Sequence, residues 1–372
     1  MKPPVKRQKW SHLVVNSGHD RHTVPIFSAC AGSRKVPLLK TLMSSYCQND
    51  CKFCAFRCEN NIKRQRWDPP ELANVTMKLW KMGKIEGLFL SSSVERDPNT
   101  MVERQVETVR ILRKNGFPAY VHLRLMPGVN RELIKQSVEL ADRVGINIEF
   151  PKSEYYNDMK IFLDFKQDLI RRIKWVSTEV KRAQKQGKCK AGLDSQIVVG
   201  ASDELDQEII EVSDWLYHEL DARRVYYSSF EPMPNTPLED KPAENRWREY
   251  RLYQCSFLIQ KYGFRAKDFV VKDGMLPLGF DPKLLIARKA ELIVDLNDAS
   301  FEELIKVPGI GIKTAEKILE KRPIKRFPQL KSLGVLNRAQ PFIELSGMRQ
   351  TTLNSFRTKP NSFLRPKAFI TH

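Results

Sequence analysis

KTLMSSYCQNDCKFCAFRC spans residues 40–58, and its second half gathers Cys47, Cys51, Cys54 and Cys58. The run that leads into it, VPLLKTLM (36–43), has the length and composition of a strand, so the cysteines fall in the loop after a first strand. Several chemistries fit thiols at this spacing. A structural zinc site wants four ligands, often in two separated pairs, and Cys58 is the only local fourth candidate. Inert buried thiols are a second reading. An iron–sulfur cluster held by Cys47, Cys51 and Cys54 is the third; it would keep one iron without a protein ligand, and an open metal position is where chemistry can occur.

Downstream, short apolar runs alternate with longer amphipathic stretches. EGLFLSS (86–92), PAYVHLRL (118–125), GINIEF (145–150), LDSQIVVG (193–200) and RRVYYSSF (223–230) read as strands. PELANVTMKLWKMG (70–83), TMVERQVETVRILRKNG (100–116) and RELIKQSVELADRVG (131–145) read as helices, and in the second Met101, Val102, Val106, Val109 and Leu112 can share one face. PAENRWREYRLYQCSFLIQKYG (242–263) supplies the helix that completes the series. Six strand–helix units in a row predict an α/β fold, a parallel sheet with helices outside it. Six are too few for a closed eight-fold barrel, which leaves a partial (β/α)6 barrel or a doubly wound open sheet.

Composition narrows the function classes. The 372 residues carry a formal net charge of +19, and RRIKWVSTEVKRAQKQGKCK (171–190) holds eight basic residues against one acid. A polyanionic partner, nucleic acid first, suits that balance. No run of about eighteen apolar residues occurs, so no membrane span is expected. The N-terminus shows no signal-like apolar core. Seven cysteines, with four of them clustered, argue against a secreted disulfide framework and fit a reducing cytoplasm.

Near residue 281 the character changes. LIKVPGIGIKTAEKIL (304–319) has the helix-hairpin-helix pattern: apolar residues on both helices, a Gly-x-Gly turn, and Ala315 where the helices cross. Asn297 or Asp298 is positioned to cap the first helix. The amides of Gly309, Ile310, Gly311, Ile312 and Lys313 would point at a phosphate near a helix N-terminus, with Lys313 and Lys317 adding full charges. Such contacts read backbone and not sequence. A plain two-helix cap with a glycine turn is the bland alternative. A second copy, 327–347, lacks the Gly-x-Gly turn.

The cysteine motif resembles that of the radical S-adenosylmethionine (radical SAM) enzymes. The resemblance continues in order through IEGLFLSSSV (85–94), VHLRLMPGV (121–129), GINIEFP (145–151), SQIVVGASDELDQEI (195–209), VYYSSFEPMPNTPLE (225–239), DPKL (281–284) and the hairpin. That series is similar to a family of DNA modification or repair radical SAM proteins. It implies a partial radical SAM barrel over 37–280, an all-α double helix-hairpin-helix domain over 281–348, a basic extension over 1–36 and a basic tail over 349–372. The implied cofactors are a [4Fe-4S] cluster on Cys47, Cys51 and Cys54, and S-adenosylmethionine, whose amino and carboxylate groups chelate the open iron. In the superfamily its reductive cleavage yields a 5′-deoxyadenosyl radical that abstracts hydrogen from substrate. Implied partners are DNA, an electron donor such as flavodoxin or ferredoxin, and a uracil-DNA-glycosylase-like companion. RNA as substrate, or a redox sensor or zinc protein without turnover, are the alternatives.

The resemblance also assigns cofactor contacts. Phe53 is expected beside the adenine, Ser91, Ser92 and Ser93 near the methionyl amino group, and Glu149 at the ribose hydroxyls. Gly200, Tyr226 and Ser228 would face the same mouth. His122 and Arg124 end the third strand, where alternation lets at most one face of the pair line the interior. Cys58 departs from the family, which has a basic residue there, and is expected to be a free or buried thiol.

Overall fold

The computed structural model describes residues 26–31 and 34–348. Residues 1–25 and 32–33 of the expected N-terminal extension, and all of the expected tail 349–372, lie outside the described residues. The chain divides into two compact units: the first holds 26–31, 34–204 and 215–244, the second 205–214 and 245–348. No helix among the described residues is long and apolar enough to cross a membrane.

The first unit is built on one seven-stranded sheet whose order follows the chain: β1 (Ile26–Ala31), β2 (Arg34–Leu42), β3 (Gly87–Ser91), β4 (Tyr120–Arg124), β5 (Arg143–Gly145), β6 (Gly192–Val199) and β7 (Arg224–Ser229). Strand β1, which the alternation of the sequence does not announce, pairs antiparallel with β2; every later pairing is parallel. A doubly wound sheet reverses its order at a switch point. Here the order never reverses, so successive right-handed crossovers lay their helices on one face, and the half-barrel reading stands. β1 and β7 are the two edges of the sheet.

Helices α1 (Pro69–Lys81), α2 (Pro98–Lys114) and α3 (Arg131–Leu140) make the first crossovers. In α2 the expected apolar face, Met101, Val102, Val106, Val109 and Leu112, is buried. Asp97 caps it by accepting from the Thr100 amide at 3.0 Å, and Pro98 fits the first turn, where its missing N–H costs nothing. The outer face of the sheet carries Leu39, Leu88, Leu90, Val121 and Leu123, all fully buried. Thr41 shares their parity and accepts from Trp67 Nε1 at 3.1 Å just ahead of α1. Alternation therefore turns Lys40, Phe89, His122 and Arg124 to the opposite, inner face.

Sequence and structure part at the fourth parallel strand. GINIEF is not itself a strand: pairing ends at Gly145, and the backbone bends so that Glu149 takes φ 48° and makes an isolated bridge with Ile197. The following crossover uses α4 (Ser153–Asp158), a π-helical turn (Phe165–Ile170) and α5 (Arg171–Lys185). Helix α6 (Asp206–His218) leads toward β7.

The second unit contains α7 (Arg246–Tyr262), α8 (Pro282–Lys289), α9 (Phe301–Lys306), α10 (Ile312–Glu320) and α11 (Gln329–Ser332). It is not purely helical: β8 (Val294–Asp295) and β9 (Ile343–Glu344) form a short parallel pair that brackets α9, α10 and α11. The cap of α9 is Ser300, not Asn297 or Asp298. Ser300 Oγ accepts from the Glu303 amide at 3.2 Å while the Glu303 carboxylate accepts from the Ser300 amide at 2.8 Å, a reciprocal box that satisfies two orphan donors. Asn297 instead bridges to Ile324, donating to its carbonyl at 3.0 Å and accepting from its amide at 2.8 Å.

Candidate active site

The cysteine loop is held by its own chain and by the next strand. Arg64 donates to four carbonyls, those of Ser45 (2.7 Å), Phe56 (2.9 Å), Arg57 (2.6 Å) and Asn60 (3.0 Å). The Gln48 amide donates to the Val94 carbonyl at 2.8 Å and the Ser93 amide to Ser44 at 3.0 Å. Ser91, Ser92 and Ser93 thus run beside the loop, and Ser92 Oγ is turned onto the Ser93 carbonyl at 2.7 Å. From the other side the Lys52 amide donates to Met159 O at 3.0 Å, and Asp50 pairs with Arg57 at 2.5 Å and Lys160 at 3.3 Å. A loop pinned at so many carbonyls keeps its thiols in place before any metal binds.

Cys47, Cys51 and Cys54 are half-buried and unbridged, while Cys58 is exposed. Burial, reinforced by the other thiols and Glu149, pushes Cys54 up to about 12 and raises Cys51 further; burial also raises Cys47. Burial thus favours the protonated thiol at all three, and a bound metal would supply the charge that makes them thiolates. The Phe56 amide lies 3.4 Å from Cys54 Sγ, and amides of Asn49 and Val94 face Cys47, donors suited to thiolate sulfur. Among the described residues no three Cys, His, Asp or Glu side chains converge tightly enough to chelate one ion. The thiols feel each other electrostatically without meeting at a point.

Glu149 is brought to the same place. Its carboxylate accepts from Asn147 Nδ2 at 2.8 Å through Oε1, whereas Oε2 is buried with no hydrogen-bond partner. Burial pushes this carboxyl up to about 6. An orphaned buried acceptor of this kind fits a ligand that donates. Phe53 stands edge-on to Phe150, the next residue, with ring centroids 5.5 Å apart, so the residue expected at the adenine and the residue expected at the ribose share one wall. The three thiols, the unmatched Oε2 and this ring are a donor set that fits an iron–sulfur cluster with an adenosyl ligand.

Behind Glu149 a buried polar chain runs along the inner face. Arg124 donates to Asn147 Oδ1 at 2.5 Å and to Asp194 Oδ2 at 2.6 Å, and His122 Nε2 meets Asp194 Oδ1 at 3.1 Å. His122 and Arg124 are two residues apart and so share the inner face; both line it. Burial opposes the charge on Asp194, yet Arg124 and His122 hold its carboxyl well below the usual range, and burial drops His122 to about 4. The neutral imidazole therefore carries its proton on Nε2 toward the carboxylate. Gly145 makes the arrangement possible, since a Cβ there would lie 2.1 Å from Asp194 Oδ1. Gly200 is enclosed differently: it takes φ 88°, its amide donates to Glu204 at 2.5 Å, and a Cβ would strike Glu244.

In the second unit the hairpin turn is tightly supported. Gly309 takes φ 91°, and a Cβ there would come within 2.9 Å of Arg338 Cγ and 3.1 Å of the Ala339 amide. Ile310 is fully buried and its carbonyl accepts from the buried Lys283 Nζ at 2.7 Å. Gly311 is the N-cap of α10, and the Ile312 amide faces the Tyr262 hydroxyl, so that one donor is turned inward. Lys313 and Lys317, one turn apart on α10, are exposed. Ala315 is fully buried at the crossing.

A helix-hairpin-helix motif family matches residues 293–321. The chain is 27% identical over 201 residues to 3-methylornithine synthase of Methanosarcina barkeri, covering 53% of this chain and 52% of that protein. To 3-methylornithine synthase of Methanosarcina acetivorans it is 26% identical over 219 residues, 58% of this chain and 57% of the other. Over that part of its length the chain is similar to the methylornithine synthases. It spans about half the length of the curated relatives it matches. Among solved structures, methylornithine synthase (PylB) matches with TM-score 0.47 and 19% identity over 68% of this chain and 66% of that one. HydG, a maturase of the [FeFe]-hydrogenase, matches with TM-score 0.46 and 16% identity over 60% and 49%. TsrM of Kitasatospora setae, a radical S-adenosylmethionine methyltransferase, matches with TM-score 0.41 and 13% identity over 54% of this chain and 38% of that one.

Several site residues had no signal of their own in the sequence. Asp194 sits inside an apolar strand, where it reads as an interruption of the pattern; Gly145 opposite it on β5 was the available hint. Asn147, Arg64, Lys283 and Tyr262 act through main-chain and side-chain partners distant in sequence, which spacing does not reveal.

Proposed function

We propose that the chain is a radical SAM enzyme acting on DNA. The observation that supports the first half is that Cys47, Cys54 and Glu149, whose Oε2 is unmatched, act electrostatically on Cys51, with Phe53 packed on the residue after Glu149. In this reading the three thiolates hold a [4Fe-4S] cluster and leave one iron for S-adenosylmethionine. When bound, the pair supplies a one-electron cleavage that yields a carbon radical able to abstract hydrogen. Electrons would come from a donor such as flavodoxin or ferredoxin.

The chain's own residues then bind and orient. Glu149 Oε2 accepts from ribose hydroxyls, with Asn147 and Arg124 fixing its partner oxygen. Phe53 offers a ring edge or face to adenine, and the backbone of Ser91–Ser93 offers carbonyls to the ammonium. Gly200, Tyr226 and Ser228 belong to the same mouth. Burial around the thiols excludes water from the reacting centre.

DNA as the substrate rests on the hairpin. A helix-hairpin-helix motif with Lys313 and Lys317 exposed on α10 suits phosphate contacts through the open amides of its first turn and two ammonium groups. The relatives' name denotes an amino-acid product, and the hairpin is what turns the reading from a small molecule toward a polymer. A base in duplex would be flipped out or already unpaired. The test is hydrogen transfer into 5′-deoxyadenosine from uniformly deuterated DNA and, separately, deuterated RNA. Label from DNA supports the reading; label from RNA alone moves the substrate to RNA, and label from neither rejects a nucleic-acid substrate.

A further inference from the structure

The basic run 171–190, which the proposed site does not use, folds into one continuous surface of the first unit. Of its eight cations, Arg172 is half-buried and donates to the carbonyls of Val129 and Gly128, and Lys181 pairs with Asp221 at 2.7 Å. The other six, Arg171, Lys174, Arg182, Lys185, Lys188 and Lys190, are exposed. Helix α5 buries Ile173, Val176, Val180 and Ala183. At about 100° per residue, Arg171, Lys174, Lys181, Arg182 and Lys185 share an arc of roughly 100° on the opposite side. Beyond the helix, the buried Cys189 anchors the turn that carries Lys188 and Lys190.

A helix face that is merely solvated mixes its signs, because an acid one turn from a lysine stabilises the helix and like charges one turn apart weaken it. Here like charges recur one turn apart: Arg171 with Lys174, Lys181 with Lys185, and Arg182 with Lys185. The single acid of the run, Glu179, is buried and pairs with Arg131 at 2.9 Å. Among the described residues, the side chains of Lys174, Arg182, Lys185, Lys188 and Lys190 form no ion pair or hydrogen bond. Arg171 is held by an aromatic ring: its guanidinium lies 5.1 Å from the Trp175 centroid, a contact that orders the group and leaves its N–H donors open. Asp221 is thus the one carboxylate paired with this face among the described residues.

Shape selects the partner. From Arg171 to Lys185 the stripe is about 21 Å long at 1.5 Å rise per residue, and the turn extends it. No exposed residue of the run is aliphatic or aromatic, so the face offers a line of charge without an apolar anchor. Such a line fits a polymer of evenly spaced phosphates, one per about 3.4 Å on each DNA strand. A helix that lies in a membrane surface needs its apolar face free to enter lipid, and that face of α5 is buried. We propose that the outer face of α5 and the turn after it form a second DNA-backbone surface, carried by the unit that holds the cysteines and separate from the hairpin. The inference rests on the DNA reading above for the identity of the polymer, and its contacts read backbone and not sequence.

The test is fluorescence anisotropy of the full chain with a DNA duplex of arbitrary sequence across a salt series. Lys174→Gln/Arg182→Gln/Lys185→Gln should weaken binding by at least about tenfold and lower the slope of log K against log salt by about 3, one for each phosphate contact removed. Lys313→Ala/Lys317→Ala should lower the slope by about 2, and all five substitutions together by about 5, because the two surfaces act independently. Circular dichroism melts establish that the triple variant is folded. If it is not, acetylation of the wild-type lysines with and without duplex decides: DNA should protect Lys174, Lys185, Lys188 and Lys190 as well as Lys313 and Lys317. A wild-type slope in the folded triple variant, or protection of the hairpin lysines with none on α5, overturns the second surface and leaves the hairpin reading intact. A wild-type chain that binds no duplex sinks the DNA reading itself, and the second surface with it. Weaker binding of an RNA duplex or of anionic phospholipid vesicles by the triple variant, with DNA binding unchanged, assigns the stripe to that other partner and also overturns the proposal.

Discussion

Asn147 stands between Arg124 and Glu149, donating to Glu149 Oε1 at 2.8 Å while its own oxygen accepts from Arg124 at 2.5 Å. The amide thereby fixes which carboxylate oxygen is used and leaves Oε2 for a ligand. Asn147→Leu removes both bonds without opening a large cavity. A lost hydrogen bond to a charged group is worth about 1.5–3 kcal/mol, so S-adenosylmethionine affinity should fall by roughly ten- to a hundredfold. Equilibrium dialysis of the reconstituted protein measures it. Unchanged affinity would show that Asn147 does not position Glu149.

Asp194 is fully buried between Arg124 and His122, and removing it strands a guanidinium inside the sheet. Asp194→Ala should cost about 3–5 kcal/mol, the usual penalty for breaking a buried pair by one partner. Gly145→Ala should also destabilise, because its Cβ would collide with that carboxylate. Urea unfolding followed by circular dichroism gives both numbers. A wild-type midpoint in either variant contradicts the packing described.

For DNA binding, Lys313→Ala and Lys317→Ala should each weaken affinity for duplexes of any sequence. Each should also lower the slope of log K against log salt by about 1, the signature of one phosphate contact removed. Fluorescence anisotropy across a salt series distinguishes this from a stability effect. Slopes equal to wild type would mean that α10 does not touch the backbone.

Lys283 gives the second unit a pH dependence with a definite sign. Burial pushes its ammonium from 10.5 down to about 7, with Asp281 pulling the other way. Between about 7 and 10.5 the unfolded chain holds a proton that the folded chain does not, so stability rises with pH across that window and is lowest below it. Lys283→Met should flatten the rise. Thermal melts from about pH 7 to 10 check it; a stability that falls over that range in wild type and not in the variant reverses the assignment.

Much of this was legible in the chain, and the exceptions have physical causes. Periodicity revealed α2 because its buried face repeats at helical spacing, and it revealed the parallel strands because their outer residues are continuous apolar pairs. It could not decide between half-barrel and doubly wound sheet, since both alternate alike; strand order did. β1 escaped because it is an antiparallel edge outside the alternation. GINIEF looked like a strand by composition, yet pairing ends at Gly145 and Glu149 takes a positive φ, a bend that composition does not announce. That Cys47, Cys51 and Cys54 lie together in one loop was readable, because their spacing is local. The chain from His122 to Glu149 was not, because its members meet only once the sheet is formed.

In the proposed site three thiols, and not four, would hold a cluster that cleaves S-adenosylmethionine. The direct measurement is 5′-deoxyadenosine formed after anaerobic reconstitution with iron and sulfide and reduction by dithionite, alongside iron content per chain. The wild type and Cys58→Ala should form it equally, with Cys47→Ala, Cys51→Ala and Cys54→Ala losing both cluster and product. Product no greater in wild type than in Cys51→Ala, or a cluster lost in Cys58→Ala, would contradict the account.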